Sequence, residues 1–252
     1  GIFLGNQNLK GQTSALLPWC IKRRKGCFQV KELSVFDIIG PIMIGPSSSH
    51  TAGALKIARV AKMLAATKIV KVHFKLFGSF ARTYRGHGTD RALLAGILGF
   101  DTGDYRVRDS FELATEAGIE YTFEEMDGET DYHPNTVVIT ITEANGDTCT
   151  LRGASIGGGE IEIHELNGCN VTFSGKNNAV LIRSKDRPGV IAPIINLLAK
   201  HKINIINLNA YCEERGLTGF TVVEFDGVLS PEVVKEISNQ PDVYSATFLK
   251  VK

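Results

Sequence analysis

Apolar positions along the chain repeat with two different periods, and the period switches several times. From Ala52 to Leu64 the residues Leu55, Ala58, Val60, Met63 and Leu64 recur at mixed three- and four-residue spacing, with Lys56, Arg59 and Lys62 between them. That spacing predicts an amphipathic helix. Ile69 to Phe77 alternates instead, Val70, Val72, Phe74 and Leu76 against Lys71, His73 and Lys75, which predicts a strand with one buried face and His73 on its polar side. A second helix is expected after GHGTD (Gly86 to Asp90), with Thr89 or Asp90 as N-cap and Leu93, Leu94, Ile97 and Leu98 as its stripe. Acidic loops and short strands lead on to Asp131. Asn135 to Glu143 alternates again, an Asn-Gly pair turns the chain, and Thr148 to Leu151 returns antiparallel. Strands over Glu160 to Leu166 and Asn170 to Phe173 flank a second Asn-Gly at 167 and 168.

Ser174 to Asn178 is polar and linker-like, and a complete new rhythm follows it. Ala179 to Ser184 reads as a strand, Ile191 to His201 as a helix, and Ile203 to Cys212 and Gly216 to Asp226 as strands. A helix over Pro231 to Gln240, capped by Ser230, and a strand over Tyr244 to Val251 complete the order βαββαβ, the ferredoxin-like plan. The expected fold class is therefore α+β, with a front α/β domain over 30–174 and a ferredoxin-like domain over 179–252. Gly1 to Gln29 lacks sustained periodicity and carries Lys22, Arg23, Arg24 and Lys25, so it is expected to be a weakly structured extension or a segment not native to the chain.

Composition narrows the function classes. The chain has 252 residues and 43% hydrophobic content, enough for a sizeable core and for two domains. Lys plus Arg number 28 against 27 Asp plus Glu, a near-neutral balance that gives no long-range field for nucleic acid or an anionic membrane. No apolar run approaches the roughly 20 residues of a membrane span. The five cysteines, Cys20, Cys27, Cys149, Cys169 and Cys212, are an odd number with no C-x-x-C pair, which argues against a disulfide framework and a self-contained metal or iron-sulfur site. A cytoplasmic location is expected.

Candidate chemistry gathers in four places. In GPSSSHT a helix start needs one capping oxygen, yet Ser47, Ser48, Ser49, His50 and Thr51 supply five polar side chains. The surplus points to an anion or carboxylate held at a helix N-terminus, with redundant capping as the plainer alternative. His50 in the first turn meets the helix dipole as a like charge, which favours its neutral form. His87 lies between Gly86 and Gly88, where backbone can approach a ligand closely or simply turn. Arg82 and Arg85 just upstream are a candidate carboxylate clamp or two solvated charges. In DYHPN, Pro134 fixes the backbone between His133 and Asn135 at a strand entrance, which suits substrate positioning or an ordinary turn. Gly157 to Gly159 in SIGGGEIEI open a loop whose backbone can line a pocket, but they match neither GxGxxG nor a phosphate-binding loop. No cluster has metal-ligand spacing and no G-x-S-x-G marks a nucleophile, so the chain holds helpers for chemistry without an electrophile.

In this order, SVFDIIGPIMIGPSSSHTAGA, GHGTD, HPN and ASIGGG resemble the β chain of the iron-sulfur-dependent bacterial L-serine dehydratases from about Leu33 to Lys252. The segment with KDRPGV looks like an ACT domain, and the front domain resembles the allosteric substrate-binding domain of some D-3-phosphoglycerate dehydrogenases. The resemblance implies an L-serine ammonia-lyase: a base removes the α-proton, and the β-hydroxyl leaves with Lewis-acid help from a 4Fe-4S cluster carried by a partner α subunit. Aminoacrylate then gives pyruvate and ammonia. It also implies His87 as candidate base, His50 and His133 as further catalytic candidates, and Ser47, Ser48, Ser49, Thr51 and Asn135 as substrate-binding residues. Asp186 and Gly189 would lie near an ACT ligand, in a homodimer formed through 179–252. An alternative reading keeps both domains regulatory, sensing serine or another amino acid without supplying a catalytic residue. The front extension departs from the family pattern, which leaves Cys20 and Cys27 without an assigned role.

Overall fold

The computed structural model describes residues 43–128, 130–214 and 217–250. The segment 1–29, with Cys20 and Cys27, lies outside the described residues. The chain forms two sheets, both of mixed sequence order. Strands β1 (Ile69–Leu76), β2 (Glu120–Glu125), β3 (Thr136–Glu143), β4 (Thr148–Gly157), β5 (Glu160–Leu166) and β6 (Cys169–Ser174) form a six-stranded sheet in the order β2-β1-β3-β4-β5-β6. Only β1 and β2 pair in parallel; the rest pair antiparallel. A parallel pair needs a long crossover, and the chain between β1 and β2 supplies it with helices.

The helix expected from Ala52 begins earlier and in two parts. A π-helical turn over Ser48–Gly53 runs directly into α1 (Ala54–Leu64). After β1 comes a helix that the apolar spacing does not announce, α2 (Gly78–His87), which buries only Phe80, Ala81 and Tyr84. Then follow α3 (Thr89–Leu98) and α4 (Ser110–Glu116). The cap expected from Thr89 or Asp90 falls one position earlier: Gly88, with φ +67, ends α2 and starts α3, and makes no side-chain cap. Helices α1 and α3 pack so closely that a Cβ at Gly96 would sit 2.3 Å from the Leu55 carbonyl oxygen. Leu55, Ile57, Leu93, Leu94 and Ile97 join Val72, Phe74, Leu76, Ile139 and Ile141 of the sheet in one buried core. The opposite sheet face is polar, with Lys71, His73 and Lys75 on β1 paired to Glu120 and Glu124 on β2.

The Gly157–Gly159 segment is a tight hairpin turn between β4 and β5, not an open loop. Its three glycines have φ of +110, +60 and +77, values that side chains rarely adopt, so the turn itself explains the run of glycines.

The second sheet follows the order β7 (Asn178–Ser184), α5 (Ile191–Lys200), β8 (Asn204–Glu214), β9 (Thr218–Asp226), α6 (Pro231–Ser238), β10 (Val243–Leu249). Its strand order is β10-β7-β9-β8. Val180, Ile182, Val223 and Phe225 face Ile194, Leu198, Val233 and Ile237 of the helices. Its other face is covered in part by the first sheet: Ala179, Leu181, Phe220, Val222 and Leu249 belong to the core of that sheet. At this seam the buried Glu224 carboxylate accepts from Ser174 N–H and Oγ and from Asn207, and Tyr211 Oη bonds both N–H and C=O of Thr172 on β6. The polar segment 175–177 therefore joins two sheets that share one interior. Among the described residues no helix is long and apolar enough to cross a membrane.

Candidate active site

The site forms where three helices start or end beside the C-terminal end of β1. Ser47 caps the first of them: its Oγ accepts from the His50 N–H at 3.1 Å, and its carbonyl accepts from Thr51 N–H. One hydroxyl thus satisfies the helix start. Ser48 and Ser49 make no side-chain hydrogen bond among the described residues, and both are half-exposed. The surplus noted in the sequence is real in space. Thr51 differs from its neighbours, because it is buried and its hydroxyl donates to the His87 carbonyl at 3.2 Å. It ties the first helix to the Gly-His-Gly corner.

His50 and His87 lie ring against ring, with centroids 4.7 Å apart and planes tilted by 32°. Phe80 meets the His50 ring edge-on at 5.3 Å. Burial first, and the neighbouring His87 second, hold His50 below the ordinary histidine range, so it stays neutral near pH 7. His87 Nδ1 lies 3.3 Å from the Thr83 carbonyl oxygen. A carbonyl can only accept, so Nδ1 carries the hydrogen and Nε2 of the neutral ring keeps a free lone pair.

The apolar pattern did not mark Ser79, whose Oγ is 3.0 Å from His50 Nε2. On α2 the residues Ser79, Thr83 and His87 form an i, i+4, i+8 stripe, and Thr83 Oγ1 donates back to the Ser79 carbonyl. That polar stripe is the signal that would have found it. The start of α2 is anchored by the HPN segment, for the Pro134 carbonyl accepts from Ser79 N–H at 2.7 Å and Phe80 N–H at 3.3 Å. Gly78 makes this possible: its φ is +56, and a Cβ there would lie 2.7 Å from the Pro134 oxygen.

Asn135 donates from Nδ2 to the Ser155 carbonyl, while its Oδ1 is buried without a hydrogen-bond partner. Ser155 Oγ, equally unpartnered, presses against Gly53 in the π-helical turn. A buried acceptor left open is costly unless something fills it. His133 is placed differently. Its ring is exposed, Nδ1 accepts from Asn135 N–H at 3.1 Å, and among the described residues no hydrogen bond or ring contact joins it to His50 or His87.

Arg85 is exposed and donates to the Tyr84 hydroxyl, whereas Arg82 lines a groove with Gly78, Asp131, Tyr132 and Pro134. The pair does not converge on the histidines as a clamp. Among the described residues no group of three His, Cys, Asp or Glu side chains could hold a metal ion. Cys149 is a poor ligand in itself, since burial pushes its thiol up to about 11.

In the second sheet, the segment after β7 is tied down on three sides. Asp186 N–H donates to the Leu217 carbonyl, Cys212 Sγ lies 3.4 Å from Asp186 Oδ2, and Arg187 pairs with Asp242. Gly189, with φ +92, has open space where a side chain would be.

Comparison with known proteins adds a family to this geometry. Residues 34–118 match the family model of the serine dehydratase beta chain, and residues 179–242 match that of the ACT domain. The probable L-serine dehydratase beta chain of Bacillus subtilis (strain 168) is 43% identical over 218 residues, covering 86% of this chain and 98% of that protein. The L-serine dehydratase beta chain of Peptoniphilus asaccharolyticus is 41% identical over 222 residues, covering 87% and 99%. The D-3-phosphoglycerate dehydrogenase of Bacillus subtilis (strain 168) is 28% identical over 137 residues, which are 54% of this chain and 26% of that one. Similarity at this level over nearly the whole length of two such chains shows that this protein belongs to the serine dehydratase beta-chain family.

Proposed function

We propose that this chain is the β subunit of an L-serine dehydratase, a lyase that releases pyruvate and ammonia from L-serine in complex with an α chain. The observation that carries the reading is the His50–His87 pair, 4.7 Å apart, with one free ring nitrogen among unpartnered hydroxyls. The beta-chain names of its relatives support the α partner. The described cysteines do not fit an iron-sulfur cluster, since Cys149 is held as a thiol and no ligand group forms. We assign the 4Fe-4S cluster that the family resemblance implies to the α chain, where it would supply Lewis-acid help to the leaving hydroxyl.

This chain's own residues bind the substrate and take its proton. Ser48 and Ser49, with the free N–H groups of the first helical turn, receive the carboxylate, where the helix dipole favours an anion, while Ser47 holds that turn and the His50 ring. Asn135 Oδ1, the buried acceptor without a partner, receives the ammonium. His87 Nε2 removes the α-proton; the electron pair of the broken C–H bond forms the Cα–Cβ double bond as the C–O bond breaks. Thr51 and His133 act through the main chain, one on His87 and the other on Asn135. Ser47, Ser48, Ser49, His50 and His87 are half-exposed, and the α chain closes the solvent side. The test is to purify the chain alone and with its α chain under anaerobic conditions and follow pyruvate from L-serine. Turnover only in the complex is expected; none in the complex would remove the reading.

A second reading rests on the stretch shared with a D-3-phosphoglycerate dehydrogenase, an enzyme of different chemistry, which favours a binding module that senses serine. Ser49→Ala and His50→Ala separate the two. A sensor would keep its maximal rate and lose only activation, while a catalytic site would lose the rate. Within the ACT domain, a homodimer is supported by the outermost strand β8, whose Ile206 and Leu208 are exposed. Asp186 and Gly189 then lie beside the effector site. Leu208→Lys should shift the sedimentation of the chain toward the monomer.

A further inference from the structure

Two histidines with overlapping rings pose a choice, because either could in principle take a proton from the substrate. The hydrogen bonds around them resolve it. His50 has a hydroxyl at each ring nitrogen: Ser79 Oγ at 3.0 Å from Nε2 and Ser47 Oγ at 3.4 Å from Nδ1. Ser47 Oγ already accepts from the His50 N–H, so its own hydrogen is free to point at Nδ1. That arrangement needs a bare Nδ1 and leaves the ring hydrogen on Nε2, facing Ser79. The reverse tautomer would aim two donors of one residue at a single Ser47 oxygen. Ser79 makes no other side-chain hydrogen bond among the described residues, and it cannot drift. Its N–H is fixed on the Pro134 carbonyl and its C=O receives Thr83 Oγ1.

We propose that Ser79 is a positioning residue that accepts the Nε2 hydrogen of His50 and fixes the neutral ring in that tautomer, leaving His87 as the single histidine with a lone pair open to the substrate. Both nitrogens of His50 are then engaged, one giving to Ser79 and one receiving from Ser47. Burial keeps the ring neutral near pH 7, consistent with this division. A nucleophilic role for Ser79 does not fit: the N–H groups that would stabilise an oxyanion beside it are spent on Pro134.

The tautomer is independent of the dehydratase reading, while its effect on rate rests on it, so the test has two arms. In the full chain with 15N-labelled histidine at pH 7.5, His50 should show a protonated Nε2 and a bare Nδ1. Ser79→Ala should move the hydrogen toward Nδ1, and Ser79→Thr should restore the wild-type pattern. A wild-type His50 protonated at Nδ1 overturns the proposal even if Ser79→Ala fails to fold; so does an unchanged pattern in a folded Ser79→Ala chain. In the αβ enzyme, Ser79→Ala should lower kcat by roughly tenfold, with KM changed by less than about threefold and Ser79→Thr close to wild type. A switched tautomer with undiminished kcat overturns the role in the reaction. If the unaltered αβ complex forms no pyruvate from L-serine, it is the dehydratase reading that fails, and if His87→Asn keeps full turnover, it is the assignment of His87 as base that fails; in both cases the tautomer assignment stands.

Discussion

Two pairs of histidines sit on opposite sides of the first sheet, and they are held in contrasting ways. His50 and His87 lie in the helical layer, and their ring nitrogens meet hydroxyls and a main-chain carbonyl. His133 and His164 sit on the open side, where His133 is exposed and His164 faces Glu162 at 3.8 Å with Arg152 nearby. The first pair is surrounded by neutral groups that fix tautomers. The second is surrounded by charges that screen one another in solvent. Both His50 and His164 titrate below the ordinary range because burial disfavours the charged ring, but for His50 the second cause is another histidine, and for His164 it is a carboxylate pulling the other way. A histidine poised for proton transfer needs a defined hydrogen position in a sheltered place more than a strong field; the Asn135 N–H also defines the hydrogen position of His133, but that ring is exposed.

The comparison breaks first at the scaffold. Gly78→Ala forces a Cβ onto the Pro134 main chain in a left-handed conformation, and should destabilise the fold by roughly 2–4 kcal/mol, read from the urea midpoint. Glycine substitutions at Gly157 or Gly158, which meet open space, should cost only the strain of their φ. Next, His50→Ala in the αβ enzyme should lower kcat by about 10- to 100-fold, since it unseats the ring against which His87 rests.

A smaller effect separates the two pairs electrostatically. His87→Asn should raise the His50 titration midpoint, and Glu162→Gln should lower that of His164 while leaving His50 unmoved, both read by NMR. The sign for stability follows from the lowered values: the neutral native ring contributes stability that is present above the unfolded value near 6.5 and is lost as pH falls below it. The urea midpoint should therefore decline between pH 7.5 and 5.5 by less in His50→Asn than in the wild type. Least of all, His133→Ala should leave kcat within about threefold, because the ring acts only through the Asn135 N–H.

Much of this was legible in the residue pattern, and the exceptions have physical reasons. The βαββαβ order and the strand bounds of the second sheet follow from alternation and turn residues, which are local signals. The SSSHT and GHG motifs were legible as polar excess at helix ends. Helix α2 was not, because it lies at the edge of the core and buries three apolar side chains, too few to set a period. Ser79 is 29 residues from His50, and long-range contacts bring the two together: the Pro134 carbonyl that anchors the start of α2 and the Thr51–His87 bond at its end. The triple glycine was misread for the opposite reason, since a tight turn and a backbone-lined pocket demand the same residue. The shared interior of the two sheets was also hidden: Val222 and Val223 are adjacent and both buried, one in each core, which reads as a plain apolar run.

The central claim is that His87 removes the substrate proton. Its most direct measurement is pyruvate formation from L-serine by the αβ complex carrying His87→Asn, in which an amide retains a donor for the Thr83 carbonyl. The account predicts a fall in kcat of about a hundredfold or more, with KM changed by less than about threefold. Turnover within tenfold of the wild type would contradict it.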